Sequence, residues 1–159
     1  MLEQLILYFV CKTKGHITKT QLVKFLYLAD LYSVKWTGKQ LTELDWCYYL
    51  RGPWHQDIDT ALEGMEVLSI QSDGEASLIT AKDESLYSSE FDLSEGLKLM
   101  LDNIRKEWAG AGTDKFQALM GYVYETAPMV EAKSKHTAEE KASLNLQLER
   151  EKLLAELGA

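Results

Sequence analysis

Histidine is scarce in this chain, three residues in 159, and that scarcity narrows the acid–base chemistry open to it. His16, His55 and His136 do not stand at metal-ligand spacing, and no GxGxxG, P-loop, HExxH, GxSxG or CxxC motif occurs. The one grouping of nucleophile, base and acid is Cys47 with His55 and Asp57, across a Gly52-Pro53 turn. Such a cysteine must work as a thiolate, yet Cys47 stands among Trp46, Tyr48 and Tyr49, where thiols are inert packing groups. A cysteine-dependent hydrolase is therefore the weakest function the residues allow. The expectation is a protein that is not an enzyme and takes no cofactor or metal.

A different chemistry is written into Asp45 to His55, DWCYYLRGPWH, because Trp, Tyr and Arg are the residue types that anchor protein interfaces. In an extended strand Trp46, Tyr48 and Leu50 point one way, and Cys47, Tyr49 and Arg51 the other. Arg51, Trp54 and His55 would then crowd a strand-to-helix turn. Either they form a contact surface, or Trp54 plugs the edge of the core and Arg51 pairs with an internal acid such as Asp30 or Asp57.

The elements that position this stretch are organised around Thr18 to Trp36. Leu22, Phe25, Leu26, Ala29, Tyr32 and Trp36 form an apolar helical stripe, and Val23, Tyr27, Leu28, Leu31 and Val34 cover most of the remaining faces. A helix apolar nearly all round must be covered nearly all round. Thr18 with Gln21 fits a capping box, Ile17 with Leu22 a hydrophobic staple, and Gly38 a stop. An earlier helix carries Leu2, Leu5, Ile6, Phe9 and Val10 and ends near Gly15.

Beyond the aromatic strand at Leu44 to Leu50, the pattern predicts a short helix from Gln56 to Met65. A hairpin from Glu66 to Thr80 follows, turning at Asp73-Gly74 and pairing with the Trp46 strand. Ala81 to Phe91 reads as loop. Asp92 and Glu95 cap a helix through Leu93, Leu97, Leu101, Ile104 and Trp108, and Thr113 begins another through Phe116 to Val123. Pro128 is read as the end of the core. The expected architecture is α+β: a mainly helical single domain, residues 1–137, around a central buried helix, with a small antiparallel sheet of one aromatic strand plus a hairpin. Residues 138–159 form a C-terminal leucine-rich helical tail with apolar groups on two sides, among them Leu144 and Leu148.

Hydrophobic residues at 46% and charged residues at 26% are ordinary for a folded domain of this length. No apolar run approaches the ~20 residues of a membrane span, and no basic leader stands at the N-terminus, so the expected compartment is the cytoplasm. Cys11 and Cys47 are read as buried free thiols. The net charge of −8 opposes phosphate-rich ligands and favours a basic protein partner. A winged-helix DNA-binding regulator is the main alternative by element order. Its presumptive wing, Gln71 to Glu75, carries acids rather than bases.

The run KFLYLADLYSVKWTGKQLTELDWCYYLRGPWHQDI, followed later by VYETAPM, resembles the Panacea domain, also called the SocA-like antitoxin domain. The matching pieces are Lys24 to Ala29 for the "K-LLY-A" helix, Trp46 through Gly52-Pro53 for the aromatic strand, and Tyr124, Thr126 and Pro128. His55-Gln56 stands where the family pattern has Ser then Pro. Over Thr18 to Met129 the resemblance implies a mainly helical α+β domain. It also implies an antitoxin, of the kind found in phages, mobile elements and bacterial genomes, that silences a co-encoded toxin by direct binding or as an adaptor for its degradation. The expected contacts to a basic protein toxin are Tyr32, Trp36, Arg51, Trp54 and His55, with Leu144 and Leu148 from the tail. No membrane or nucleic-acid partner is expected, and a homodimer stays open.

Overall fold

Helix α2, Lys19–Thr37, forms where the capping box requires it: Thr18 Oγ1 accepts from the Gln21 amide and Gln21 Oε1 from the Thr18 amide. Its C-cap is Gly38 at φ 81°, a left-handed conformation that costs glycine least. A computed structural model describes residues 1–50, 52–74, 76–110, 113–137 and 139–158. In it α2 runs through the core with Leu22, Phe25, Leu26, Tyr27, Leu28, Ala29 and Leu31 sealed from solvent. Each large side chain so buried stabilises the fold by about 1.5–3 kcal/mol before entropy is counted.

The other elements cover it. Helix α1 (Leu2–Lys12) packs on α2, and its Tyr8 hydroxyl donates to Asp102 of helix α4 (Glu95–Trp108) at 2.7 Å. Helices α5 (Thr113–Tyr124) and α6 (Ala127–Lys135) follow. Pro128 therefore does not end the core: it occupies the first turn of α6, where its missing N–H costs nothing. The α4 cap is Ser94, whose Oγ accepts from the Leu97 amide, in place of the expected Asp92. Within the expected loop of residues 81–91 lies a 3-10 turn, Glu84–Ser88.

The domain is mainly helical α+β, as expected, but the strands pair differently from the sequence-based expectation. Strand β1 (Cys47–Tyr49) turns back at once into β2 (Gly52–Trp54), with Cys47 opposite Trp54 and Tyr49 opposite Gly52. Its other edge takes β5 (Ala142–Ser143), so the sheet order is β2-β1-β5. The hairpin β3 (Leu68–Asp73) and β4 (Ala76–Ala81) forms a separate two-stranded sheet that packs on α1 and α2. A short helix α3, Gln56–Gly64, follows β2. Among the described residues the C-terminal stretch is helical only in α7, Gln147–Glu156; before it, Leu144 and Leu146 enter the core and the Leu144 amide donates to the Trp46 carbonyl at 2.8 Å. Helix α7 packs on α2 and α6.

The link from α2 to β1 hangs on Asp30, which is fully buried. Its carboxylate accepts from the amides of Leu41 and Thr42 at 3.0 and 2.9 Å, from the Thr42 hydroxyl, and from Trp46 Nε1 at 2.8 Å. These donors satisfy the charge that burial strips of water. Asp30→Ala strands all of them, and the expected loss is about 3–5 kcal/mol of unfolding free energy in urea denaturation followed by Trp fluorescence.

Candidate functional site

The inner face of the β2-β1-β5 sheet carries Tyr48 and Pro53, both buried, beneath Trp46. Alternation then leaves Cys47, Tyr49 and Trp54 on the outer face, where all three are partly exposed. The Tyr49 and Trp54 rings lie 5.3 Å apart, and the His55 ring stacks on Trp54 at 6.4 Å. The Lys141 ammonium sits over both aromatic rings, 4.8 Å from the centre of Trp54 and 5.3 Å from that of Tyr49. At the tip of the turn Leu50 is 67% exposed and held at φ 49°, a conformation that costs an L side chain about 1 kcal/mol or more. Glu43, Asp45 and Asp57 are exposed along the segments flanking this face.

Of the residues expected to contact a partner, Trp54 and His55 come together here. His55 also caps α3, its Nδ1 accepting from the Asp57 amide at 3.0 Å. Arg51 lies outside the described residues. Its suggested partner Asp30 is engaged by the 41–46 loop. Trp36 stands apart at the end of α2, 64% exposed. Beside it α7 is tied down by Arg150, which donates to the Lys35 carbonyl, and by Gln147, which donates to that of Gly38. Tyr32 is half-buried and donates its hydroxyl to that of Tyr122 on α5; burial pushes its phenol far up. Leu148 is half-buried, whereas Leu144 is in the core and offers no surface.

Tyr49 and Lys141 complete the aromatic face and were not among the expected contacts. Strand alternation put Tyr49 on the right side. Nothing local in the sequence signals Lys141, because its position depends on β5 reaching β1 from the far end of the chain.

The thiol chemistry weighed for Cys47 meets the opposite of activation. Burial and then the charge of Asp45 push its pKa up, and its Sγ donates to the Asp45 carbonyl at 3.4 Å. No cluster of three or more metal-ligating side chains occurs among the described residues. Nor is any described helix long and apolar enough to cross a membrane.

One charge has no such accommodation. Lys24 of α2 is only 7% exposed, and no carboxylate pairs with it among the described residues. Its ammonium reaches β2, so that a Cβ on Gly52 would stand 2.6 Å from Nζ. Burial pulls its pKa down to about 8. An unpaired buried charge destabilises the fold, so Lys24→Met is expected to raise stability by about 2 kcal/mol at pH 7. Below pH 8 folded and unfolded chains both carry the proton, and the full cost is present. Between about 8 and 10.5 the unfolded chain holds more of it, so the wild type gains stability as pH rises and its deficit against Lys24→Met shrinks. Paired urea titrations at pH 7 and pH 10 measure this.

The pieces of sequence that carry the family resemblance meet in space. Tyr27 packs edge-on against Trp46, with ring centres 5.5 Å apart, and bonds Thr126 at 2.9 Å. Thr126 Oγ1 gives its own proton to the Val123 carbonyl, so Tyr27 is the donor. Neither the curated proteins nor the solved structures contain a match to this chain. A family model described as "Antitoxin SocA-like, Panacea domain" matches residues 22–121, from within α2 to within α5. That span takes in Lys24 to Ala29 and Trp46 to Pro53, and stops short of Tyr124, Thr126 and Pro128. With well over half its length matched, the chain belongs to the antitoxin SocA-like, Panacea domain family.

Proposed function

We propose that this domain is the antitoxin of a toxin–antitoxin pair and neutralises a co-encoded protein toxin by binding it directly. The observation that carries this reading is the solvent-facing aromatic face of Tyr49, Trp54 and His55 under Lys141, set on a sheet whose other side is anchored in the core. Rigid, partly buried aromatic rings present large contact area with little entropy left to lose, which is what interface anchors need. Family membership supplies the antitoxin-like role; the surface supplies a means of binding that needs no catalysis.

Association is steered by charge. The net charge of −8 attracts a basic toxin over long range, while the aromatic contacts hold it once docked. Trp36 and the exposed side of α7, including the partly exposed Leu148, form a second contact area apart from the first. Delivery of the toxin to a protease would use the same docking step, so neutralisation persisting in a protease-deficient host separates simple binding from adaptor action.

The test is co-expression with the product of the neighbouring reading frame. Wild-type chain restores growth. Trp54→Ala and Tyr49→Ala remain folded by circular dichroism and each weaken binding by about 2 kcal/mol or more, with loss of rescue. The association rate falls as salt is raised from 50 to 500 mM, because screening shortens the reach of the acidic surface. Undiminished binding and rescue by both variants overturns the assignment to this face.

A further inference from the structure

The Lys24 ammonium is a charge in want of a counter-ion, and the described residues do not supply one. Its aliphatic stem is buried in the core, and its head has no ion pair among the described residues. It is nevertheless not sealed off. Among the described residues, Arg105 Nε and Trp108 Nε1 are sealed without a hydrogen-bond partner, and Lys24 Nζ is not so sealed.

Its place is set by β2. Gly52 stands opposite Tyr49 and two residues before Trp54, so the direction its missing side chain would take is that of the aromatic face. Along that direction lies Lys24 Nζ, 2.6 Å from an added Cβ. β2 is also the outer strand of its sheet, and it packs on α2. Glycine at this position leaves free the space that the ammonium occupies.

We infer that Lys24 is the anchor for a carboxylate of the protein partner, an Asp or Glu side chain inserted beside Gly52 when the partner docks on the aromatic face. This rests on the toxin-binding reading and specifies its centre. An ammonium already stripped of most of its water loses little more when an anion arrives, and the complex gains a charge-assisted hydrogen bond in a low-dielectric setting. The destabilising charge is thereby turned into binding energy. A side-chain carboxylate fits better than a chain terminus, because terminal carboxylates are captured by runs of backbone N–H groups and Pro53, next to Gly52, has none. The exposed acids Glu43, Asp45 and Asp57, on the segments flanking the aromatic strands, repel acidic residues placed elsewhere, so the partner needs one acid in an otherwise basic surface.

Two measurements test this, each with Lys24→Met and with Gly52→Ala, which keeps the charge but displaces the ammonium. In the first, sodium acetate is the probe against sodium chloride at equal ionic strength. The expected result is a higher Tm in acetate for the wild type and no such rise for either variant; an equal response in all three overturns the inference. The second is rescue of growth by co-expression. Both variants are expected to lose at least tenfold in plating efficiency while staying folded. Rescue by Lys24→Met as complete as wild type, with Trp54→Ala failing, overturns the carboxylate anchor and leaves the aromatic face standing. Full rescue by Trp54→Ala as well overturns the face itself.

Discussion

A buried carboxylate with no ion pair among the described residues, Asp30, holds this molecule together in the place where its two kinds of structure meet. Its oxygens take two backbone amides, a hydroxyl and an indole N–H from the segment between α2 and β1. The loop cannot shift without stranding those donors, and Trp46 cannot turn without losing Nε1's acceptor. Trp46 in turn receives Tyr27 edge-on and gives its carbonyl to Leu144. The position of the aromatic sheet relative to the central helix, and of the C-terminal segment relative to both, is inherited from that one ion.

Most of what makes the chain recognisable as a family member is interior. Phe25, Leu26, Tyr27, Leu28 and Ala29 are sealed, Trp46 is sealed, and Thr126 is buried against Tyr27. Residues of this kind report the frame on which a surface is built, so membership by itself does not place the contact with a partner. Lys24 is the exception within the same motif: an interior residue by burial, yet one whose ammonium has no ion pair among the described residues. The two buried ions behave oppositely. Asp30 accepts from four donors and stabilises the structure, whereas Lys24 has no ion pair among the described residues and costs stability.

The C-terminal segment also has two characters. Ala142 to Leu146 belongs to the body, through β5 and two buried leucines. Helix α7 is held by polar contacts, Gln147 and Arg150 to the end of α2 and Glu149 to the Ala127 amide, and leaves Leu154 and Leu157 exposed. The leucines on two sides of this stretch, conspicuous in the sequence, are divided between these roles.

The sequence by itself determined the elements governed by local physics. Thr18, Gln21 and Gly38 delimit α2 because caps satisfy backbone groups within one turn, and the all-round apolar pattern required α2 to be central. It also determined that Cys47 and Tyr49 share one side of their strand, since alternation follows from the pleat alone; that Trp54 joins them there follows from the turn into β2. Only the tertiary structure decided that β1 pairs with β2 and β5 rather than with the hairpin, that Pro128 starts a helix, and that Lys141 covers the aromatic rings. It alone decided that Asp30 is saturated and that Lys24 has no ion pair among the described residues. Those outcomes depend on which groups compete for the same partner across tens of residues of chain, and such competition is settled by packing, which no local spacing of residues encodes.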